Sequence, residues 1–198
     1  MEALETKEKI EEAMEGHERG PSRLRIGLLI AGLAALLALM ETGGKSSQTE
    51  AVNANLQASN LWAFFQAKTA RMTTIHTAAE TASLTLLNDL PPATKDAIQK
   101  QIDAWNVTAA RYESEPQTGE GRKELTERAL QAEAERDHEL AAYHLFEIGS
   151  AASQLAIVLA SAAIITGVTF LVYLASGLGI VGAGFDVIAW LAPTMLHL

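Results

Sequence analysis

IGSAASQLAIVLASAAIITGVTFLVYLAS, residues 148–176, carries no charged side chain, and its polar company is mainly Ser, Thr and Gln154. Nearly thirty uncharged residues fill a bilayer with some tilt, and soluble domains rarely hold such a helix. This run therefore predicts a membrane span. Working outward, a shorter apolar stretch runs from Ile26 to Met40, with Leu24 just before it, Arg23 and Arg25 on one side and Glu41 on the other. Fifteen to seventeen residues at about 1.5 Å each cover about 25 Å, and arginine snorkelling makes up the rest of a ~30 Å core. The stretch lacks the polar stripe of a buried globular helix. Ala38-Leu39-Met40-Glu41-Thr42 also lacks the small-residue cleavage pattern of a secretory signal. A third stretch runs from Leu178 to Leu198, interrupted by Asp186 and Pro193. Gly177 and Gly179 leave room only for a tight turn, so the second and third spans read as an antiparallel hairpin.

The composition agrees with this partition. The chain has 198 residues, 15 Lys+Arg against 24 Asp+Glu, a formal net charge of −9 and no cysteine. Mean hydropathy is +0.10 although 20% of residues are charged, so charged and apolar residues are segregated. Without cysteine there are no disulfides, thiolate zinc sites, iron–sulfur clusters or Cys nucleophiles. The acidic balance argues against a nucleic-acid partner, which would need clustered Lys and Arg.

The predicted fold is all-α: an integral membrane protein with three transmembrane helices and a helical, coiled-coil-like insert between the first and second. The expected segments are an acidic N terminus (1–23), span one (24–41), the extramembrane domain (42–147), span two (148–176), and a turn with span three (177–198). Residues 1–19 hold seven Glu and three Lys/Arg with a thin apolar stripe, which fits a marginal surface helix or disorder. Arg19, Arg23 and Arg25 precede span one, while Lys45 is the nearest cation behind it. The positive-inside rule then puts the N terminus in the cytoplasm and the insert outside.

Within the insert, Trp62, Phe65, Thr69, Met72, His76, Ala79, Ser83, Leu86 and Leu90 step by three and four, a heptad stripe on a helix. Pro91-Pro92 ends it. Thr94 is the expected cap of the next helix, whose inner face is Ile98, Ile102, Trp105, Ala109 and Tyr112. Residues 115–121 form a loop by composition. From Arg122 nothing breaks the helix before Gly149, so this helix is expected to continue into span two. Small residues recur every fourth position at Gly27, Ala31, Ala35, at Ala152, Ala156, Ala160, and at Ala175, Gly179, Ala183, a spacing that lets membrane helices approach closely.

Motifs that could carry chemistry are thin. Gly177-Leu178-Gly179-Ile180-Val181-Gly182 spells a dinucleotide fingerprint, but no strand precedes it and the chain ends too soon for the acidic partner, so it reads as the interhelical turn. Glu135 and His138 form one E-x-x-H pair where a di-iron bundle needs two, and solvated helix faces account for them. His76 lies on the stripe, where a packed histidine is expected. Asp186 is the candidate intramembrane polar site, because a carboxylate inside a span usually pairs or lines a wet path; the readings are a proton relay or ion pathway, or a tolerated or locally hydrogen-bonded Asp. No catalytic triad, cofactor site or metal set can be assembled, so an enzyme is not expected.

One run is more specific than its periodicity requires: Asn60-Leu61-Trp62-Ala63-Phe64-Phe65-Gln66-Ala67-Lys68-Thr69-Ala70-Arg71. It resembles the signature of the domain-of-unknown-function 4337 family, small bacterial membrane proteins in which Asn/Asp-x-Trp-x-Phe-aromatic-Gln-Ala-Lys follows the first membrane helix. The surrounding plan is similar as well: acidic N terminus, Arg-flanked first span, helical insert, and a span pair closing near Pro193 and His197-Leu198. The resemblance implies a multi-pass protein of the bacterial inner (cell) membrane and no particular activity. Trp62, Phe65, Gln66, Lys68 and Arg71 are the candidate surface, either packing the insert's helices together or contacting another subunit. The expected function is a non-enzymatic, homo-oligomeric scaffold or accessory protein, surrounded by lipid and open to an unidentified membrane-protein partner. The alternatives are a sensor lacking its own output domain, and a small ion or proton channel or transporter using Asp186.

Overall fold

The computed structural model describes residues 21–195, and every regular element among them is helical. Four α-helices follow in order: α1 (Pro21–Thr85), α2 (Pro92–Glu113), α3 (Arg122–Thr166) and α4 (Thr169–Leu191), with a 3₁₀ turn at Pro193–Met195. Three of them, α1, α3 and α4, are long and apolar enough to cross a membrane. The acidic segment expected at residues 1–23 falls almost wholly outside the described residues, as do His197 and Leu198.

The chain divides into two compact units. One comprises residues up to Gln48 together with Glu139–Leu198, the other Thr49–His138. In the first, α1 and α3 run antiparallel and α4 returns alongside. One core cluster joins Leu33 to Ala156, Ala160 and Ala175. A second joins Met40 to Ala142, Leu145, Phe146 and Ala189. The packing depends on small residues. A Cβ at Gly43 would stand 2.7 Å from the Phe146 ring, and one at Gly182 would stand 3.0 Å from the Gly149 carbonyl oxygen. The ring thus fills a notch in α1, and the α3 and α4 backbones cross in contact, a geometry open to glycine in apolar helices. The Ser153 hydroxyl at this crossing lies 3.5 Å from the Met40 sulfur.

The hairpin turn differs from the sequence expectation. It falls at Gly167–Val168, not at Gly177–Gly179, which lie inside α4. Gly167 takes φ +70°, the left-handed conformation that stops a helix at small steric cost. Its amide still donates to the Ala163 carbonyl (3.0 Å). The 148–176 run conceals this turn because neither side of it carries a charge. Two apolar helices of balanced length replace one long and one short span. Of the three small-residue faces, Ala156, Ala160, Ala175 and Gly179 are buried in the bundle, whereas Gly27, Ala31 and Ala35 point out of it.

In the second unit α1 meets α3 around Trp62 and the end of α2 at Lys68, with Arg122 of α3 reaching Phe65 and Met72 on either side of that lysine. As its numbering rises from Trp62 to Lys68, the partners fall from Glu133 on α3 to Tyr112 on α2. The buried stripe of α1 has a different phase from the expected one. Inward positions are Leu61, Phe65, Lys68, Met72, Ile75, Ala79, Ala82 and Leu86, sharing only every second residue with the predicted series. His76 is exposed, so it is not a packed stripe residue. The same 3–4 alternation runs back through Ala58, Ala54, Ala51, Ser47 and Gly44 to Met40, all buried. The helix α2 starts at Pro92, before the expected Thr94 cap. Proline suits the first helical position, where its missing N–H is not needed. Its face is as predicted: Ile102 and Ala109 are buried, with Ile98, Trp105 and Tyr112 half-buried beside them.

Candidate functional site

The run from Asn60 to Arg71 lies on one continuous helix, so its contacts follow from the 3.6-residue period. Leu61, Trp62, Phe65 and Lys68 face inward, while Gln66 and Arg71 face outward and are exposed. Leu61 packs with Leu125 and Ala129 of α3, flanked by Trp62 and Phe65. The Trp62 indole N–H donates to Glu133 Oε1 at 2.8 Å, and its ring meets Phe65 edge-on with centroids 5.6 Å apart. The Arg122 guanidinium covers the Phe65 ring at 4.9 Å and pairs with Glu113 at 2.8 Å.

Lys68 is the unusual member, a lysine 5% exposed on the inward stripe. Its ammonium lies 5.3 Å from the Phe64 ring centroid and 5.4 Å from that of Tyr112, both within cation–π range. Glu120 Oε2 stands 3.7 Å away. The tethered segment is the loop between α2 and α3. Gly119 has φ +68° there, and its carbonyl accepts from Arg128 Nη1 at 3.2 Å. The signature residues thus clamp the loop that hands α1 from one partner helix to the next.

Glu124, in the first turn of α3, closes the same loop. Its carboxylate accepts from the Ser114 hydroxyl at 2.6 Å and from the Glu115 amide at 3.1 Å. The Ser114 hydrogen bond holds its pKa below the ordinary glutamate value. A carboxylate depressed in the folded state adds stability above its unfolded pKa, and that contribution is lost as pH falls through the folded value. The thermal midpoint of the wild type should therefore drop more steeply than that of Glu124→Gln below about pH 4.3. Parallel curves in circular dichroism melts from pH 6 to pH 3 would remove Glu124 from this role.

The other singled-out residues are dispersed. Glu135 and His138 are exposed on α3. Gly179 and Gly182 of the fingerprint-like run pack against Leu33 and Ser153, whereas Gly177 has open space around it. Asp186 lies five residues before the end of α4, beside Phe185 and Ile188, which pack on the cluster holding Met40 and Phe146. It therefore shares a layer with the ends of the apolar runs at Glu41 and Glu147. Its Oδ1 is buried with no hydrogen-bond partner among the described residues. Sequence reasoning missed Glu133 and Arg122 as partners of the aromatic run, because no local pattern pairs residues some sixty positions apart.

A helical chain with three helices apolar enough to cross a membrane, and an aromatic–lysine clamp on a helical insert, defines the class of protein. The chain belongs to the family described as Domain of unknown function (DUF4337), which it matches over residues 22–192. No curated protein and no solved structure matches it.

Proposed function

We propose that this is an integral membrane protein that works as a non-enzymatic, self-assembling scaffold through its helical insert. The membrane reading is supported by the charge layers. Arg23 and Arg25 mark one end of the first unit, and Glu41, Glu147 and Asp186 the other. Tyr173 and Trp190 on α4 are 73% and 71% exposed. Their spacing, about 25 Å along the helix, matches aromatic belts at the two interfaces of a bilayer. The arginine bias supports a cytoplasmic N terminus and an insert on the outer side.

The observation that carries the assembly reading is the exposed side of α1. The buried positions Ala51, Ala54, Ala58 and Leu61 occupy one face of α1, and Val52 and Leu56 on the other side are 54% and 56% exposed. Apolar side chains in that position, on a helix already paired by a coiled-coil-like seam, gain burial from a second copy. The outward Gly27, Ala31 and Ala35 face offers a matching close contact in lipid. In this reading Asp186 is a boundary carboxylate, not an ion relay.

The test is the detergent-corrected mass of the purified protein by light scattering. A single defined oligomer is expected, falling to a smaller species for Val52→Asp/Leu56→Asp and unchanged for Asp186→Asn. A wild-type monomer would overturn self-assembly and point to an accessory subunit.

A further inference from the structure

At the end of the first unit where α1 begins and α3 turns into α4, the helices part around a cleft of about 550 Å³. This lies within the range of small-molecule sites, roughly 300–1,000 Å³. Its walls are of two kinds. Ile26, Ile164, Val172 and the Tyr173 ring form an apolar flank, while Arg23 and Arg25 stand at the rim. No ion pair or hydrogen bond engages either guanidinium among the described residues. The turn itself carries no charge, because residues 148–185 contain none. The α4 N-terminus, whose N-cap Val168 supplies no side-chain acceptor, brings partial positive charge that the C-terminal end of α3 on the same wall offsets, so the net charge of the cleft is that of Arg23 and Arg25. The Thr169 amide on the cleft wall has no intrahelical acceptor, whereas the Leu171 amide donates to the Val168 carbonyl at 3.2 Å.

We propose that this cleft binds an anionic glycerophospholipid, with the phosphodiester at Arg23, Arg25 and the α4 N-terminus and the acyl chains along Ile26, Ile164 and Val172. The charge calls for an anion, and the apolar flank continuing into the span calls for one with hydrocarbon tails. The site also lies at the level of lipid headgroups, given the exposed Tyr173 nearby. Basic pockets between membrane helices on the cytoplasmic side recognise such lipids in general. This inference rests on the membrane placement proposed above and is independent of self-assembly.

Native mass spectrometry of the full chain, titrated with phosphatidylglycerol or phosphatidylcholine, provides the test. Each arginine beside an anionic headgroup is worth about fivefold, so the wild type should retain phosphatidylglycerol about 25-fold more tightly. Arg23→Gln/Arg25→Gln should bring the two lipids to near equality. Val172→Trp, which fills the cleft and keeps both arginines, should do the same. Lys95→Gln/Lys100→Gln, an equal charge loss on α2, should leave the preference intact. A preference that survives Val172→Trp would reveal plain surface electrostatics and overturn the site. Displacement of the lipid by an equal concentration of glycerol 3-phosphate would overturn the assignment to a tailed ligand. Equal retention of both lipids by the wild type overturns the specificity alone, whereas retention of neither overturns the membrane placement with it.

Discussion

Phe65→Ala should destabilise the insert by about 2–4 kcal/mol, less than the loss of a fully buried aromatic because the ring is half-buried. Three contacts go together. The ring leaves the cluster of Leu61, Leu125 and Ala129, its edge contact with Trp62 disappears, and Arg122 loses the face on which it is stacked. The last loss matters most for the loop. Arg122 Nε is already buried without a hydrogen-bond partner among the described residues, so the ring is what makes that burial tolerable. Hydrogen exchange across residues 114–121 should accelerate as the α2–α3 handover loosens. Gln66→Ala and Arg71→Ala, on the outward side of the same run, should stay within about 0.5 kcal/mol of wild type. The contrast decides what the signature is for. If Arg71→Ala lowered the thermal midpoint as much as Phe65→Ala, the run would serve an external contact, and the clamp described here would be incidental.

The aromatic run also shows how far the sequence could be read. Trp62 and Phe65 were legible as one helix face, but taking the bulky Trp62 as a stripe position turned the predicted seam toward Thr69, His76 and Ser83. The true seam passes through Leu61, Lys68 and Ile75. A lysine at a buried position argues against that phase until Phe64, Tyr112 and Glu120 are seen around it, and two of those three come from distant parts of the chain. The same periodic run of buried positions continues toward the apolar start of α1 through Ala58, Ala54, Ala51, Ser47 and Gly44. Small residues carry little hydropathy, so a helix packed through them leaves almost no periodic signal. This is why the sequence of the single helix Pro21–Thr85 reads as a span followed by a separate stripe.

What was legible follows from features that act locally. Charge-free runs mark apolar helices whatever they pack against. Pro91-Pro92 separates two helices because neither ring can extend the ladder, and the α2 face from Ile98 to Tyr112 has bulky residues at every inward position. Asp186 illustrates the opposite case. Its place in the chain predicts a charge within a span running to Leu198, but α4 ends at Leu191, so Asp186 lies five residues from the end of the helix. The meaning of a polar residue in an apolar helix depends on where that helix begins and ends, and here Gly167 precedes its start while Ala192 and Pro193 stop it.

Gly182→Leu should produce the largest loss in the first unit. A Cβ at this position would lie 2.7 Å from Ser153 Oγ and 3.0 Å from the Gly149 carbonyl oxygen. Neither obstacle can swing aside, since one is backbone and the other is a short side chain held at the crossing of α3 and α4. Overpacking in a well-packed core costs about 1–3 kcal/mol, and a branched side chain against a carbonyl belongs at the upper end. The Met40, Ser153 and Gly149 contacts should be lost together as the helices separate. Gly177→Leu and Gly184→Leu supply the comparison, because nothing lies within 4 Å of a Cβ at either position. Both lie inside α4, where replacing glycine by a better helix former favours the helix by up to about 1 kcal/mol. In thermal melts of the detergent-solubilised protein, Gly182→Leu should therefore fall well below wild type while the other two match or exceed it. A turn at Gly177–Gly179 would invert that order, with Gly177→Leu the damaging change and Gly182→Leu tolerated. The three variants thus test the helix crossing and the position of the hairpin turn in one measurement.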